Sequence, residues 1–419
     1  MTKKFNFARR QSRRDYLLAN SPDPWLRRIY RIRRYTGWLL VIVSALFILL
    51  NLQLFTLTSL RNIRSSLQAA SRVSAGDTTV ISYPSGTHKC MLPFGSGLAI
   101  CSDKTLYFEL PSNYSQMEMT LSYANPAMRA SNQYLLVFDR GGYRFTVTNT
   151  LSELYSQTMQ SPVTNADISA NGSVAIVTDE AGYKSAVTVY NIDNEQLYKW
   201  SSPDYYIMSA VLSPDGKRLA LFCFRQEGLT LVSRLFFTDI DSTETPSESE
   251  TITNVDMNGS LVLGMKYLGN NTVCVVCDNA TYVVSRGGQI RYRTDYSADS
   301  LLSFDLTDDC VALATESYSQ SSRADIVLIN ARGSASRKPL SLSSEPDSIS
   351  YCDGRLAVLT GDTVTFYSKS LRQIDQQTNL AGVSRVYMRS GGTAIALFGS
   401  QARVLTIGNP LNDLNSSGG

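Results

Sequence analysis

Two hydrophobic patterns divide this chain. Trp38 to Leu57 (WLLVIVSALFILLNLQLFTL) is twenty residues without a charge, interrupted only by Ser44, Asn51, Gln53 and Thr56. As a helix rising 1.5 Å per residue it would cover about 30 Å, the thickness of a bilayer's hydrocarbon core. From residue 78 the period changes to two and the pattern repeats. Eight units share an apolar strand, a turn rich in Asn, Asp, Ser or Gly, and an apolar–small–apolar triplet. The triplets centre on Ala99, Leu136, Ala175, Ala220, Cys274, Ala312, Ala357 and Ala396, with Leu136 the clear departure. Their spacings of 37, 39, 45, 54, 38, 45 and 39 residues match the period of four-stranded propeller blades.

The turns before the triplets carry hairpin chemistry. Asn171-Gly172, Asp215-Gly216, Asp353-Gly354 and Gly391-Gly392 supply the positive φ that tight turns need. Alanine at the triplet centre fits a propeller because inner strands converge near the axis, where a larger side chain would collide. A third strand follows each triplet, as in Leu106–Phe108, Leu235–Thr238 or Val364–Tyr367, and several units end in a polar outer strand such as Asn191–Trp200. The pattern predicts an all-β propeller of eight four-stranded blades, or seven if the irregular second unit is not a full blade. The last unit stops short after Ile407, whereas the first has a spare strand, Thr78–Tyr83. That strand is expected to complete the last blade and close the ring, removing its open edges. Asp239–Thr253 (DIDSTETPSESETIT) is too polar for a core and reads as an exposed insertion.

Charge assigns a direction to the apolar run. Residues 1–36 hold eleven Lys or Arg against two Asp, a local +9; with the chain at +3, the remainder carries −6. Cytoplasmic flanks are enriched in Lys and Arg, so the N-terminus is expected inside and the β-structure outside. The run is too long for a cleaved signal peptide and no small-residue cleavage site follows it closely. The resulting division is a basic cytoplasmic tail (1–36), a transmembrane signal anchor (37–58), a juxtamembrane stalk helix (59–75), the propeller (76–408) and a disordered tail (409–419). Trp25, Ile29, Tyr30, Ile32 and Tyr35 interleave with arginines as in a short amphipathic helix on an anionic inner leaflet, not a nucleic-acid site. In the stalk, Leu60, Ile63, Leu67 and Ala70 form a short a/d seam, which leaves both a monomer and a homodimer through the stalk open.

Seven cysteines are an odd number for an exported domain, so at least one is free or paired between chains. Cys90 and Cys101 sit symmetrically about a turn at Gly95-Ser96, as a disulfide or as reduced core residues. Counting outward from that turn puts them at a hydrogen-bonded pair, where the Cα atoms stand farther apart. Cys274 and Cys277 have metal-ligand spacing, but residues i and i+3 of a strand face opposite sides, so core filling is expected.

Catalytic signatures are missing. The single histidine, His88, has no visible partner motif, and the chain lacks GxSxG, Walker, HExxH and GxGxxG patterns. Most aspartates, Asp215 among them, read as turn residues. Tyr205-Tyr206 beside Pro203 is a candidate aromatic recognition patch. Six Asn-x-Ser/Thr sequons, at Asn113, Asn171, Asn258, Asn270, Asn279 and Asn415, carry no weight in a chain this rich in Asn, Ser and Thr. No catalytic, cofactor or metal residues are assigned.

Leu212-Ser-Pro-Asp-Gly-Lys-Arg-Leu-Ala-Leu221 resembles the strand–turn–strand unit of TolB-type and WD40-like propellers, and Asn191–Trp200 is similar to the outer part of a quinoprotein-type blade. The whole layout resembles an uncharacterised family of membrane-anchored propellers from Clostridia-type Gram-positive bacteria. That resemblance implies fold and location and no activity. The function expected is a non-enzymatic binding or scaffold module outside the cell membrane, for an envelope protein, peptide or glycan. An extracytoplasmic sensor signalling through stalk and tail, or a hydrolase or lyase using channel Asp, Glu or Tyr, are the alternatives.

Overall fold

A computed structural model describes residues 24–25, 35–36, 38–43, 80–83, 88–111, 114–131, 133–241, 253–297, 300–317 and 322–408. The chain divides into two units, 1–61 and 62–419. In the first, the described residues are helical, and Trp25, Tyr35 and all six side chains from 38 to 43 are exposed. Among the described residues no helix is long and apolar enough to cross a membrane. Residues 44–57 of the apolar run, the stalk at 59–75, most of the basic tail, residues 242–252 of the insertion and the tail at 409–419 lie outside the described residues.

The second unit is an eight-bladed β-propeller. Its described residues form eight antiparallel sheets of four strands. The inner strands are His88–Phe94, Pro126–Ser131, Val163–Ile168, Tyr206–Leu212, Val262–Tyr267, Leu301–Leu306, Ser348–Cys352 and Arg385–Arg389, for blades 1 to 8 in order. Each inner strand packs against the next, and that of blade 8 meets that of blade 1. The second unit of the repeat is a full blade, which excludes the seven-bladed count. Blade 8 is closed from the N-terminus: Val80–Ser82 pairs with Gln401–Thr406, Val80 facing Arg403 and Ser82 facing Gln401. Ile81 is fully buried there, and the Tyr83 hydroxyl donates to the Phe398 carbonyl.

Eight apolar clusters fill the eight gaps between neighbouring sheets. Strand alternation divides each triplet between two of them. In blade 3, Val174 and Ile176 face blade 2, while Ala175 faces blade 4. The small centre therefore lies on the second strand, one strand out from the channel, facing the next blade. Cys274 and Cys277 follow the same rule and face opposite gaps.

Blade 8 corrects the reading of its triplet. Here Ala394 and Ala396 face blade 7, while Ile395 and Leu397 face blade 1. The residue equivalent to Ala175 is Ile395, one position before the expected centre. Alternating small and large side chains along Thr393–Leu397 permit either phase, and only the packing chooses. Leu136 and Ile395 are thus the two large centres, both accommodated without residual exposure.

Candidate functional site: the channel mouth

Each inner strand offers one free edge to the channel, and its N–H groups need partners. The registers supply them. One inner-strand residue stands opposite each triplet centre: Leu92, Arg129, Asp167, Val211, Lys266, Asp305, Ser350 and, opposite Ile395, Tyr387. Residues facing each other across an antiparallel pair project to the same side, here toward the following blade. From three of these positions the side chain reaches the next inner strand in the same way. Leu212 N donates to Asp167 Oδ2 at 2.9 Å, Tyr351 N to Asp305 Oδ2 at 2.7 Å, and Met388 N to Ser350 Oγ at 3.0 Å. Each donor follows the ring residue of its own strand by one position. The Tyr387 hydroxyl donates to Met91 O at 3.1 Å, carrying the link from blade 8 to blade 1.

Four of the eight positions are charged, and their signs alternate: Arg129, Asp167, then Lys266, Asp305. Burial pushes the Asp167 and Asp305 carboxyls above the usual carboxylate range, while their backbone hydrogen bonds and the field of Lys266, with Arg129 for Asp167, pull them partly back. A cavity of about 410 Å³ opens among the inner strands of blades 2 to 6, with Ser169, Pro214 and Asp308 from the first turns of their blades at its mouth. Lys266 Nζ pairs there with Asp308 Oδ1 at 3.0 Å. Phe304, Met208 and Leu263 add apolar wall, and Leu263 is 54% exposed. The chemistry on offer is polar recognition: both charge signs on rigid strands beside an apolar surface. Among the described residues no group of three or more His, Cys, Asp or Glu is placed to hold a metal.

Asp215 is a turn residue, as expected. Ser213 Oγ at 2.5 Å and Lys217 N at 3.2 Å donate to its Oδ1. Burial works against its charge, but those hydrogen bonds and Arg218 outweigh it and hold the carboxyl below its usual range. His88 stands edge-on to Tyr83, with ring centroids 5.8 Å apart. Asn171, Asn258, Asn270 and Asn279 occupy turns or bends, and the sequons at 113 and 415 lie outside the described residues.

The tyrosine pair is split. Tyr205 is buried beneath the Arg225 guanidinium, whereas Tyr206 is exposed, stacked on Phe224 at 5.2 Å with Lys184 Nζ above its ring. Tyr206 borders a second cavity of about 590 Å³ with Pro203, Asp204 and Gln226. Equivalent second-to-third-strand turns of blades 2, 3 and 4 expose Tyr143, Tyr183 and Leu229.

Sequence reasoning missed the charged ring and the turn tyrosines. Both had a signal. Counting back across the turn from the triplet centre lands, in four blades, on a charged residue inside a strand: Arg129, Asp167, Lys266 and Asp305. The turns Asp139-Arg-Gly-Gly-Tyr-Arg144 and Asp179-Glu-Ala-Gly-Tyr-Lys184 repeat one motif at the blade period.

Residues 71–401 match a family of unknown function, DUF5711. The chain belongs to that family. DUF5711 membership thus covers the propeller almost end to end, from before its closing strand into its last. No curated protein matches it. Solved structures similar to this DUF5711 chain include the C-terminal WD40 domain of Sif2, at 11% identity over 80% of this chain and 98% of that one, TM-score 0.48. The β-propeller domain of Myceliophteria thermophila Cps50 (Swd1) is 9% identical over 78% and 99%, TM-score 0.46. Hydrazine synthase of Kuenenia stuttgartiensis is 14% identical over 78% and 96%, TM-score 0.43. No functional inference follows from these likenesses.

Proposed function

We propose that this chain is a membrane-anchored, extracytoplasmic binding module without catalytic activity, and that its channel mouth holds a peptide or glycan segment of an envelope component. The observation that carries the reading is the ring of alternating charge around the 410 Å³ cavity. Rigid strands from four blades place Arg129, Lys266 and two carboxylates around one space, which suits a polar chain bearing charges of both signs. The anchoring rests on the basic tail and the apolar run. Residues 38–43 are helical with every side chain exposed, as expected of a helix that is apolar all round and solvated by lipid.

Equilibrium titration of the full-length protein with envelope peptides and glycan fragments tests the reading. Arg129→Ala and Lys266→Ala are each expected to weaken binding about tenfold or more, the loss of one charge-assisted hydrogen bond of about 1.5–3 kcal/mol. Affinity unchanged in both variants would remove the channel mouth from the account. One observation favours a hydrolase or lyase instead: Asp167 and Asp305 carry the raised pKa values expected of acid catalysts. Both carboxyls already accept backbone N–H groups of the next blade, which gives them a structural task. Saturable turnover abolished by Asp167→Asn or Asp305→Asn would reverse the choice.

A further inference from the structure

Cys90 and Cys101 are the one pair of cysteines that face each other in the strand registers of the described residues. They lie on adjacent strands of the blade 1 hairpin, whose two-residue turn is Gly95-Ser96, with Gly95 at φ +55°. Facing residues of antiparallel strands stand about 4.5–5.5 Å apart between Cα atoms, inside the range of about 4.4–6.8 Å that a disulfide spans. Both side chains turn into the gap toward blade 2. Cys101 is fully buried, while Cys90 is half-buried with its Sγ 3.5 Å from the Pro126 carbonyl.

We propose that Cys90 and Cys101 are a thiol–disulfide exchange site, forming an intrachain bond across the blade 1 hairpin when a disulfide-bearing oxidant reaches Cys90. This is independent of what the channel binds. The local chemistry divides the roles. The facing Cys101 thiol, as a donor to the charged form, and then Arg140 and Arg129, favour the Cys90 thiolate against the opposing effect of burial. That donation and burial hold the Cys101 proton in place, aided by the neighbouring Cys90 charge. The Cys90 thiolate attacks one sulfur of the incoming disulfide, whose S–S bond breaks and releases a thiolate. Once Cys90 is a mixed disulfide it no longer carries charge and no longer accepts the Cys101 hydrogen bond. Cys101 then loses its proton to the departing thiolate or to water and attacks the Cys90 sulfur, expelling the second thiolate. Two protein thiols are oxidised by two electrons, and one disulfide is reduced to two thiols. Of the other cysteines, Cys223, Cys274, Cys277 and Cys310 are buried, and Cys352 is half-buried opposite Arg355.

The experiment treats the reduced full-length protein with oxidised glutathione, quenches with an alkylating agent and maps each cysteine by peptide mass. The expected wild-type product is a peptide pair joined through Cys90 and Cys101, lighter by two hydrogens. Cys101→Ser is expected to hold glutathione on Cys90 as a stable mixed disulfide, because no resolving thiol remains. Cys90→Ser is expected to leave Cys101 unmodified. Stable glutathione on wild-type Cys90 with no linked peptide would overturn the proposal, and so would Cys101→Ser leaving Cys90 free of glutathione.

Discussion

A chain beginning at Pro84 will not fold cooperatively. The closing strand brings Ile81 and Tyr83 into the gap between blades 8 and 1, where Ile81 is 0% and Tyr83 5% exposed. Truncating a buried Ile or aromatic side chain costs about 2–5 kcal/mol. Losing both, with three strand registers and the Tyr83 bonds to Phe398 O and Gln401 O, removes about 5 kcal/mol or more. A domain's whole stability is only roughly 5–15 kcal/mol. The truncation also bares the edge of Gln401–Thr406, a template for pairing with another chain. Urea unfolding followed by fluorescence should show a lost or strongly shifted transition, and an aggregating protein. Ser82→Thr, which keeps the hydroxyl at an exposed position of the same strand, should melt as wild type. A truncated chain that also melts as wild type would show that the ring closes some other way.

Replacing the ring aspartates will separate their hydrogen bonding from their charge. Asp305→Ala strands the Tyr351 N–H and a Ser350 hydroxyl, and Asp167→Ala strands the Leu212 N–H. At about 1–3 kcal/mol for each of the two backbone N–H groups alone, the double alanine variant should lose about 2–6 kcal/mol. Asparagine keeps the acceptor oxygen and should lose far less. The pH dependence distinguishes the two effects. Both folded-state pKa values lie above the unfolded value, so between them the native state holds more protons than the unfolded chain. This contribution is fully favourable below the unfolded pKa of about 3.9. It falls as pH rises to the folded pKa values and stays lost above them. The double Asn variant should therefore remove part of the stability decline that wild type shows as pH rises from about 3.9 to the folded pKa values. Identical pH profiles for the two proteins would mean that the carboxyls titrate normally.

Much of this architecture can be read from the residues, because the physical constraint repeats every forty or so positions. An apolar triplet after a turn rich in Asn, Asp, Ser or Gly marks a second strand in all eight blades, and a spare strand at one end answers a missing strand at the other. What could not be read was phase. Thr393–Leu397 alternates small and large in a way that fits two packings, and only the contact with Leu98 and Ile100 of blade 1 selects Ile395. The channel ring was hidden for a related reason. Asp167 and Asp305 look like turn aspartates until the register places them inside a strand, opposite Ala175 and Ala312. Lys266 and Arg129 belong to the same site only because the ring is closed, since the residues that meet there are far apart in sequence. Ligand identity is a property of that assembled surface and leaves no local mark on the chain.

Proximity labelling from the propeller in intact cells tests whether the channel mouth binds an envelope component, with the full-length chain set beside a variant carrying Arg129→Ala and Lys266→Ala. Wild type is expected to enrich a small set of envelope components, and the variant is expected to lose them while remaining at the membrane. Enrichment of cytoplasmic proteins would contradict the topology. An unchanged envelope set in the variant would contradict the channel mouth as the binding site.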